Sequence, residues 1–434
     1  MGLVRSIAIV VLSISLIVFI ALFGRLPTLR RTPIAFLHRL LWVYIPNVLG
    51  HVDERLTGRR ITRSLARTGD YLMNEKHPLV LIFFVGLQLI GETLFIPAAW
   101  DRLSFAQIAP LPPLIIAPLW FLYLCNTTDS NITPQNHRSA MLAYPYDYAL
   151  FHPGYFCSTC RFAKPPRSKH CSICKACVQK QDHHCIWINN CVGRANYLWF
   201  NALLVSIAAL LVYGSHLGHG LLDARLQDRL VPPALTRGSL TSKRWSTRLS
   251  WNEYAHAWAW AIAVEWRIGA VVMLSLMCVP LAFGFLAYHL YLVWAGMTTN
   301  ESSKWSDWKE DINDGVVYRA EMKALRETFP PLPEDVQPRD EDVKWPRGVR
   351  ARWWLVRTRD GERPKKRRKP KRDGRVNTPG NDVDEREDLG QEQEQENEEE
   401  PDGRWEKVTS IAQVENLYDL GFWDNLLDGL FNRG

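Results

Sequence analysis

Charged residues are missing from long parts of this 434-residue sequence. The charge-free stretches are residues 6–24, 103–128, 195–222 and 268–300. Residues 78–100 are nearly as apolar, with Glu92 as their single charge. Because about 20 consecutive apolar residues allow a helix to cross a bilayer, these stretches exclude an ordinary soluble protein. They predict an α-helical, polytopic membrane protein with about five transmembrane helices.

A signal-peptide cleavage site is also missing after the first stretch, residues 6–24. The apolar core of this stretch is longer than that of a typical signal peptide. We therefore expect a retained transmembrane helix, with a cleaved signal peptide as the alternative. Glu92 in the second stretch is either functional or paired with a neighbouring helix. The third stretch contains several prolines, which predict a kinked helix.

Cysteine is scarce outside one short region. Of nine cysteines, only Cys125 and Cys278 lie outside residues 157–191. Both lie in apolar stretches, where we expect them to pack as small apolar side chains. A dense group of cysteines can form an extracellular disulfide module. Here the interleaved histidines and the repeated Cys-x2-Cys spacing favour zinc sites in a reducing compartment.

The cysteine-rich region offers ten potential zinc ligands, seven Cys and three His. They are Cys157, Cys160, His170, Cys171, Cys174, Cys177, His183, His184, Cys185 and Cys191. Structural zinc sites use four nitrogen or sulfur ligands each. Two closed sites would therefore use eight of them and leave one Cys and one His. The spacing alone does not say which four side chains share a metal.

An acid stands beside the spare ligands in the run Asp182-His183-His184-Cys185. A cysteine thiolate is a strong nucleophile, an adjacent His can take its proton, and an acid can orient that His. The run therefore predicts a reaction centre interleaved with metal ligands. The alternative is that all four residues bind metal or support the metal ligands.

This spacing, continued by Asn196 and Phe200, resembles the cysteine-rich domain of the DHHC family of protein S-acyltransferases (palmitoyltransferases). Two further segments match motifs of the same family. Residues 298–301, TTNE, match the TTxE motif that follows the last span. Residues 416–425, which include Tyr418, resemble the family's C-terminal aromatic motif.

The resemblance implies a cysteine-rich domain that binds two structural zinc ions. One ion would be held by Cys157, Cys160, His170 and Cys177, and the other by Cys171, Cys174, His184 and Cys191. The resemblance also implies that Cys185 is the acylated nucleophile, His183 its base and Asp182 the partner that orients His183. This division agrees with the count of spare ligands.

The resemblance further implies an enzyme, a protein-cysteine S-palmitoyltransferase. Palmitoyl-CoA would acylate Cys185, and the acyl chain would pass to juxtamembrane cysteines of membrane proteins in the lipid bilayer. Ile186 replaces the proline that usually follows the acylated cysteine, and an extra span precedes the Arg-rich loop. Both departures are similar to the fungal endoplasmic-reticulum branch of the family. We therefore expect location in the endoplasmic reticulum membrane and SNAREs among the substrates.

A non-catalytic, membrane-anchored zinc adaptor is the alternative function, and a pseudoenzyme scaffold is another. Nucleic acid is not an expected partner, because the helix-reading finger spacing Cys-x2–4-Cys-x12-His is absent. Basic residues near the zinc ligands would contact either the phosphates of CoA or lipid headgroups. These residues are Arg161, Lys164, Arg167 and Lys169. His289, near the end of a span, is expected to reach polar headgroups.

Lysine and arginine predict the orientation in the membrane. Residues 25–76 hold ten of them and residues 126–197 hold eight, whereas the short loop at Asp101 and Arg102 holds one. The positive-inside rule therefore places the first two segments, and with them the cysteine-rich domain, on the cytoplasmic side. Residues 223–267 would then be lumenal, although they hold seven Lys and Arg.

These features together predict ten segments. They are an N-terminal transmembrane helix (1–24), a cytoplasmic Arg-rich loop (25–77), transmembrane helices 2 and 3 (78–128), the cytoplasmic zinc domain (129–197), transmembrane helix 4 (198–222), a lumenal loop (223–267), transmembrane helix 5 (268–297), a cytoplasmic tail that starts with TTxE (298–358), a disordered charged linker (359–404) and the C-terminal aromatic motif (405–434). The linker is predicted to be disordered because it has almost no apolar residues to form a core.

Overall fold

The structure is a computed structural model, and most of the chain is described by it. The described residues are 13, 16–17, 19–21, 24, 32–230, 249–325, 332–333, 336–339, 341–346, 349–365 and 402–431. The first predicted transmembrane helix, residues 6–24, therefore lies largely outside the described residues.

The segment predicted as an Arg-rich loop is helical where the structure describes it. Helix α1 (Pro33–Arg39) continues through one π-helical turn (Leu40–Tyr44) into α2 (Ile45–Thr57), and α3 (Arg60–Asn74) follows. Gly58 and Arg59 separate the last two helices, and both have left-handed backbone conformations with φ of 66°. The chain therefore makes a sharp corner between α2 and α3, as helices often do at a left-handed residue.

Four helices of the described chain are long and apolar enough to cross a membrane. They are the spans Leu79–Arg102, Phe105–Thr127, Tyr197–Leu230 and Trp266–Trp294. The main helices in these spans are α4 (Leu79–Ala99), α6 (Leu111–Thr127), α8 (Tyr197–Leu230) and α10 (Trp266–Trp294), and a short α5 (Phe105–Ile108) precedes α6. They correspond to the four charge-poor stretches after residue 77 and confirm the predicted α-helical polytopic class.

The helix ends differ from the predicted boundaries at α8. This helix continues past residue 222 to Leu230 and includes Asp223, Arg225 and Arg229. The charged turns are helical because the chain keeps its backbone hydrogen bonds after it leaves the apolar region, where hydropathy no longer reports the helix. The guanidinium of Arg229 lies 3.6 Å from the ring centroid of Trp260. Trp260 belongs to α9 (Trp251–Val264), a helix within the segment that was predicted as a lumenal loop.

Helix α8 packs against α6 and α10, and it approaches α10 closely at Gly218. A Cβ atom at this glycine would lie 2.2 Å from Cγ2 of Val272 on α10. Only glycine therefore allows the two backbones to approach this closely, as small residues do at helix interfaces in membranes. Phe95 of α4 and Ile268 of α10 belong to the apolar core around this crossing.

The cysteine-rich domain lies between α6 and α8 in the chain. It contains β1 (Asn131–Ile132), α7 (His137–Met141), β2 (Lys169–Cys171), β3 (Ala176–Val178), β4 (His183–Cys185) and β5 (Asn190–Val192). The first three strands form an antiparallel sheet in the order β1-β3-β2, and β4 pairs with β5. Strands β2 to β5 carry five of the eight predicted zinc ligands, which are His170, Cys171, Cys177, His184 and Cys191.

The tail after α10 contains the third sheet of the described chain. Its elements are α11 (Thr299–Asn313), β6 (Val317–Glu321), α12 (Met322–Leu325), β7 (Trp353–Arg357), β8 (Glu406–Lys407) and α13 (Phe422–Phe431). The strand order is β7-β6-β8, so β6 is central. The sheet brings the two ends of the predicted charged linker together.

Both described ends of the predicted linker, residues 359–365 and 402–404, are packed. The hydroxyl of Tyr318 donates to the carbonyl of Gly361 at 2.7 Å, and the backbone N–H of Asp402 donates to the carbonyl of Pro364 at 2.9 Å. These ends were predicted as disordered because they lack apolar side chains, but backbone hydrogen bonds hold them here. Residues 366–401 lie outside the described residues.

Candidate metal and active site

The first predicted ligand set comes together around one point. Nδ1 of His170 lies 3.5 Å from Sγ of Cys157, 3.4 Å from Sγ of Cys160 and 3.8 Å from Sγ of Cys177. The antiparallel pairing of β2 and β3 places His170 directly opposite Cys177. A tight Cys-x2-Cys turn supplies the other two sulfurs, and its backbone N–H at Cys160 donates to Sγ of Cys157.

The second predicted set has the same geometry on the other hairpin. Nδ1 of His184 lies 3.6 Å from Sγ of Cys171, 3.4 Å from Sγ of Cys174 and 3.6 Å from Sγ of Cys191. The register of β4 and β5 places His184 opposite Cys191. The sulfur atoms of Cys174 and Cys191 are 3.6 Å apart.

Both sets fit a tetrahedral zinc ion. With Zn–S bonds near 2.3 Å and Zn–N bonds near 2.05 Å, the edges of the tetrahedron are about 3.6 Å for sulfur to nitrogen and about 3.8 Å for sulfur to sulfur. The observed separations lie close to these values in both clusters. Each cluster supplies three sulfurs and one nitrogen, so the domain suits two closed, structural zinc sites.

The ligands of the two sites alternate along the chain. Cys171 and Cys174 belong to the second site, but Cys177, which follows them, belongs to the first. The two sites therefore fold as one interleaved unit, and bound zinc would fix the positions of β2 to β5 relative to one another. Cys185 and His183 belong to neither four-residue cluster.

Asp182 and His183 form a close pair on β4 and the residue before it. Oδ2 of Asp182 lies 2.6 Å from Nδ1 of His183. Asp182 is 2% exposed, and the backbone N–H of Thr299 donates to its other carboxylate oxygen at 2.8 Å. Burial raises the pKa of Asp182, but the hydrogen bond and the charge of His183 together lower it by more. The net pKa therefore lies below its usual value.

Cys185 completes the predicted trio. Because side chains alternate along a strand, His183 and Cys185 share one face of β4 and His184 takes the other. Burial lowers the pKa of His183, but hydrogen bonds to Asp182 and to Cys185 raise it by more, to about 9. The imidazole is therefore held between an acid and a thiol, as a base for the thiol must be.

The thiol faces the apolar interior of the helix bundle. Cys185 is 7% exposed and packs in one cluster with Leu122 of α6, Phe200 of α8 and Val293 of α10. The next two residues, Ile186 and Trp187, are about half exposed at 49% and 48%. The Cys185 thiol therefore lies where the zinc domain meets the spans, next to apolar surface that an acyl chain can contact.

The TTxE segment contacts the zinc domain through a buried ion pair. Thr298 and Glu301 form a capping box at the start of α11. Both carboxylate oxygens of Glu301 accept hydrogen bonds from Arg167, at 2.7 and 2.6 Å. Arg167 and Glu301 are each 1% exposed. The expectation that Arg167 contacts CoA phosphates or lipid headgroups is therefore wrong, because the side chain is buried and paired.

The C-terminal aromatic motif contacts the same buried Arg167. The guanidinium of Arg167 lies 4.4 Å from the ring centroid of Tyr418. Nζ of Lys180 donates to Oδ2 of Asp428 at 2.6 Å, and the hydroxyl of Tyr144 donates to Oδ1 at 3.0 Å. Burial raises the pKa of Asp428, but the charges of Lys180 and Arg167 together lower it by more. The net pKa is therefore below its usual value. Helix α13 is thus fixed to the zinc domain by buried charge.

His289 is a site residue that the sequence did not reveal. It is 1% exposed, and its ring centroid lies 5.8 Å from that of His183. Its Nδ1 lies 3.4 Å from the hydroxyl of Tyr197, and its buried Nε2 has no hydrogen-bond partner in the described chain. The expectation that His289 reaches lipid headgroups is wrong. A polar residue in a span was the signal, because such residues usually face the bundle interior.

Glu92 is linked within the bundle. Nε2 of Gln88 donates to Oε1 of Glu92 at 2.8 Å and to the carbonyl of Ile115 on α6 at 3.0 Å. Of the two interpretations of Glu92, this geometry favours pairing, because Gln88 connects Glu92 to the neighbouring helix α6. The pair lies on α4, away from Cys185 in the chain and outside its apolar cluster.

Comparison with known proteins agrees with this geometry. The family model for the DHHC palmitoyltransferase matches residues 150–306. Palmitoyltransferase swf1 of Emericella nidulans is 45% identical over 427 residues, which cover 98% of this chain and 96% of that protein. The chain belongs to the DHHC palmitoyltransferase family. Palmitoyltransferase SWF1 of Neurospora crassa is 42% identical and covers 99% of this palmitoyltransferase, with 92% of its own length matched.

A more distant relative supports the same assignment. Palmitoyltransferase swf1 of Schizosaccharomyces pombe is 35% identical over 308 residues, 70% of this chain and 81% of that protein. Membership confirms the predicted family and makes the chain a protein S-acyltransferase of the DHHC palmitoyltransferase type. It favours turnover over the non-catalytic zinc adaptor.

Proposed function

We propose that Cys185 is the nucleophile that palmitoyl-CoA acylates, that His183 is its base and that Asp182 orients His183. The observation that carries this proposal is the 2.6 Å contact of Asp182 with His183, on the same strand face as the Cys185 thiol. Both zinc clusters are complete without these three residues, so neither zinc ion needs them as ligands.

The first step transfers the acyl group to the enzyme. His183 takes the proton of the Cys185 thiol, and the thiolate attacks the carbonyl carbon of the acyl-CoA thioester. A new carbon–sulfur bond forms to Cys185 as the bond to the sulfur of CoA breaks. The CoA thiolate takes the proton from His183 and leaves as the thiol. Asp182 accepts a hydrogen bond from Nδ1 of the imidazole and stabilises its charged form.

The second step transfers the acyl group to a protein. A substrate cysteine gives its proton to His183, and its thiolate attacks the thioester carbonyl on Cys185. The bond to Cys185 breaks, and Cys185 recovers the proton. The two half-reactions make a ping-pong mechanism. The substrate cysteine must lie close to the membrane face, because the acyl chain stays among apolar side chains, where each buried CH₂ contributes about 0.8 kcal/mol.

We further propose that this protein acts in the endoplasmic reticulum membrane, with the zinc domain cytoplasmic, and that SNAREs are among its substrates. The Lys and Arg of residues 25–76 and 126–197 support this orientation. Thiol ligands and a thiol nucleophile also require a reducing compartment. SNAREs and the endoplasmic reticulum follow from the resemblance to the fungal branch of the family.

Acyl transfer from labelled palmitoyl-CoA tests the proposed nucleophile. The purified protein should acquire a label that hydroxylamine removes, and Cys185→Ser should acquire none. Cys278→Ser, in α10, is the matched control and should label like the wild type. Equal labelling of Cys185→Ser, or a label stable to hydroxylamine, would refute the assignment of the thioester to Cys185.

Glycosylation and acyl-proteome comparison test location, orientation and substrates. An Asn-x-Ser acceptor introduced into residues 231–248 should be glycosylated if this segment is lumenal, and an acceptor next to Asp360 should not. Cells lacking the protein should lose acylation of membrane proteins with juxtamembrane cysteines, SNAREs included. Glycosylation beside Asp360 would reverse the orientation, and unchanged SNARE acylation would remove SNAREs from the proposal.

A further inference from the structure

The helices before the first described span have apolar faces that no described residue covers. On α2, Leu49 is 61% exposed and Leu56 is 78% exposed. On α3, Ile61 is 56% exposed and Leu65 is 68% exposed. Single exposed apolar residues are common, but several large apolar residues exposed on two adjacent helices mark an interaction surface. The name elbow is used below for the pair α2–α3, residues 45–74.

Helix α3 divides its residues by chemistry around its axis. At 100° per residue, Ile61, Leu65 and Leu72 lie within about 40° of one another on one face. Arg60, Arg63 and Arg67 lie on the opposite face. A short helix with a narrow apolar face and a cationic polar face is typical of helices that lie in the plane of a membrane surface.

The corner of the elbow is built to hold its shape. Oδ2 of Asp53 accepts hydrogen bonds from the backbone N–H of Thr62 at 2.7 Å and from its hydroxyl at 2.6 Å. The hydroxyl of Thr57 donates to the other oxygen of Asp53. These hydrogen bonds lower the pKa of Asp53 to about 2, and the one from Thr57 has the largest effect. Asp53 is therefore charged at neutral pH and caps the start of α3.

The elbow lies beside the point where the chain enters the membrane. Helix α3 ends at Asn74, and α4, which is apolar enough to cross a bilayer, begins at Leu79. Between them, the carboxylate of Glu75 pairs with Nζ of Lys175 in the zinc domain at 2.8 Å. The elbow is thus on the zinc-domain side of the bilayer and continuous with the membrane contact of α4.

We propose that the elbow lies in the headgroup region of the bilayer and binds anionic lipid. Its apolar faces enter the boundary of the acyl chains, and the arginines of α3 attract the negative surface. Trp42 and Tyr44, in the turn that leads into α2, are 41% and 50% exposed and are residues that favour the membrane interface. The elbow is a lipid-binding surface separate from the acylation site, and no catalytic residue takes part in it.

Hydrogen exchange of the full-length protein in nanodiscs tests the proposal. The discs contain phosphatidylcholine alone or phosphatidylcholine mixed with phosphatidylserine. Amide exchange across residues 60–74 should slow by about tenfold in the anionic discs, because each Arg near an anionic surface favours the bound state. Cys185→Ser protein should behave in the same way, so this test is independent of the proposed acylation.

Paired variants separate charge from apolar burial. Leu65→Glu should lose the slowing, whereas Ser64→Glu, the same charge one residue earlier on the polar side, should keep it. Arg63→Gln with Arg67→Gln should remove the dependence on phosphatidylserine. Two neutralised cations on another exposed segment, Arg359→Gln with Arg363→Gln, should not.

Three results would overturn the proposal. Equal exchange of residues 60–74 in both kinds of disc would exclude anionic lipid. Unchanged exchange in Leu65→Glu would exclude burial of the apolar face of α3. Slowing that depends on protein concentration, and not on lipid composition, would assign the surface to a second copy of the chain or to another protein.

Discussion

The Asp182–His183 pair is supported from two sides by single residues. The backbone N–H of Thr299 holds the carboxylate at 2.8 Å, and the ring of His289 lies 5.8 Å from that of His183, centroid to centroid. Phe200 packs edge-on against both imidazoles, at 5.4 and 5.0 Å. If His183 is the base, as proposed, His289 is a positioning residue, because its ring lies beside that of His183.

Replacing His289 should slow acylation without preventing it. In His289→Phe, the ring still fills the aromatic site, but Tyr197 loses its partner and His183 loses a polar neighbour. We expect the rate of self-acylation to fall about tenfold, or about 1.4 kcal/mol in barrier, with the final amount of label unchanged. His289→Gln should recover part of the rate.

The control for His289 is another histidine of a span. His216→Phe changes an exposed imidazole of α8 and should leave the acylation rate unchanged. Single-turnover measurements with labelled palmitoyl-CoA give the rate and the amount separately. A loss of label without a loss of rate in His289→Phe would contradict the positioning role and indicate a folding defect.

Asp147 gives the stability of the protein a pH dependence. One of its oxygens accepts backbone hydrogen bonds from Ala149, Leu150 and Phe151, and the other is buried without a hydrogen-bond partner in the described chain. Burial raises the pKa of this carboxyl from 3.8 to about 6. The folded protein therefore holds the proton more tightly than the unfolded chain. The stabilisation is complete below about pH 4 and is lost as the pH rises through about 6.

Melting of the wild type and Asp147→Asn at two pH values measures this effect. Between pH 7 and pH 5, the wild type should gain about 1 kcal/mol of stability relative to the variant, because only the wild type takes up the proton. The difference between the two proteins cancels the pH dependence of the zinc clusters. An identical pH dependence in both would show that Asp147 has an ordinary pKa.

At the scale of single residues, the zinc ligands were predictable and His289 was not. The ligand spacing occurs in a short segment, so one sequence motif carries both metal clusters and the run of residues 182–185. His289 lies more than a hundred residues from His183 in the chain. A histidine in an apolar helix indicates a side chain that faces the bundle interior, but it does not say which distant strand that side chain meets, so its contact with His183 required the fold.

At the scale of elements, Arg167 connects three separate parts of the chain. Its guanidinium pairs with Glu301 of α11, donates to the carbonyl of Gly296 after α10, and lies 3.6 Å from Asp428 of α13. Gly296 has φ of 64°, and a Cβ atom there would lie 2.7 Å from the backbone of the aromatic motif. The end of α10, the TTxE helix and α13 are therefore positioned as a unit against the zinc domain.

Glu301→Gln should destabilise this unit strongly. The substitution leaves the shape of the side chain but removes the negative partner of a buried arginine, which costs about 3–5 kcal/mol. Glu321→Gln is the matched control, because its partner Arg352 is 68% exposed and such a pair contributes at most about 1 kcal/mol. Thermal unfolding in detergent compares the two, and similar losses would contradict the buried pair.

The tail elements were less predictable than the spans. Tyr318 of β6 pairs with Lys407 of β8 across the whole charged linker. Short strands with so distant a partner leave little periodic signal in the sequence. The spans were predictable because each is long, apolar and free of charge, and hydropathy alone detects such helices.

At the scale of the whole molecule, the crossing of α8 and α10 sets how closely the bundle packs. Gly218→Ala should destabilise it by about 1–3 kcal/mol, because the new methyl group overlaps Val272. Gly220→Ala adds the same group to the same helix, where no described atom lies within 4 Å, and should be neutral or stabilising.

A compensating change checks the cause. Val272→Ala should restore part of the stability of Gly218→Ala by making room for its methyl group. Thermal unfolding of the wild type, the two single variants and the double variant forms a double-mutant cycle. Additive effects would mean that Gly218 and Val272 do not touch, and that the loss in Gly218→Ala has another source.

The alternation of zinc ligands along the chain limits how this domain could have arisen. Because Cys177 of the first site follows Cys171 and Cys174 of the second, no breakpoint between residues 157 and 191 leaves both sets of ligands intact. Tandem zinc fingers can be gained, lost or exchanged one at a time by recombination. Here a crossover inside the domain breaks at least one metal site, so inheritance acts on the domain as a single block.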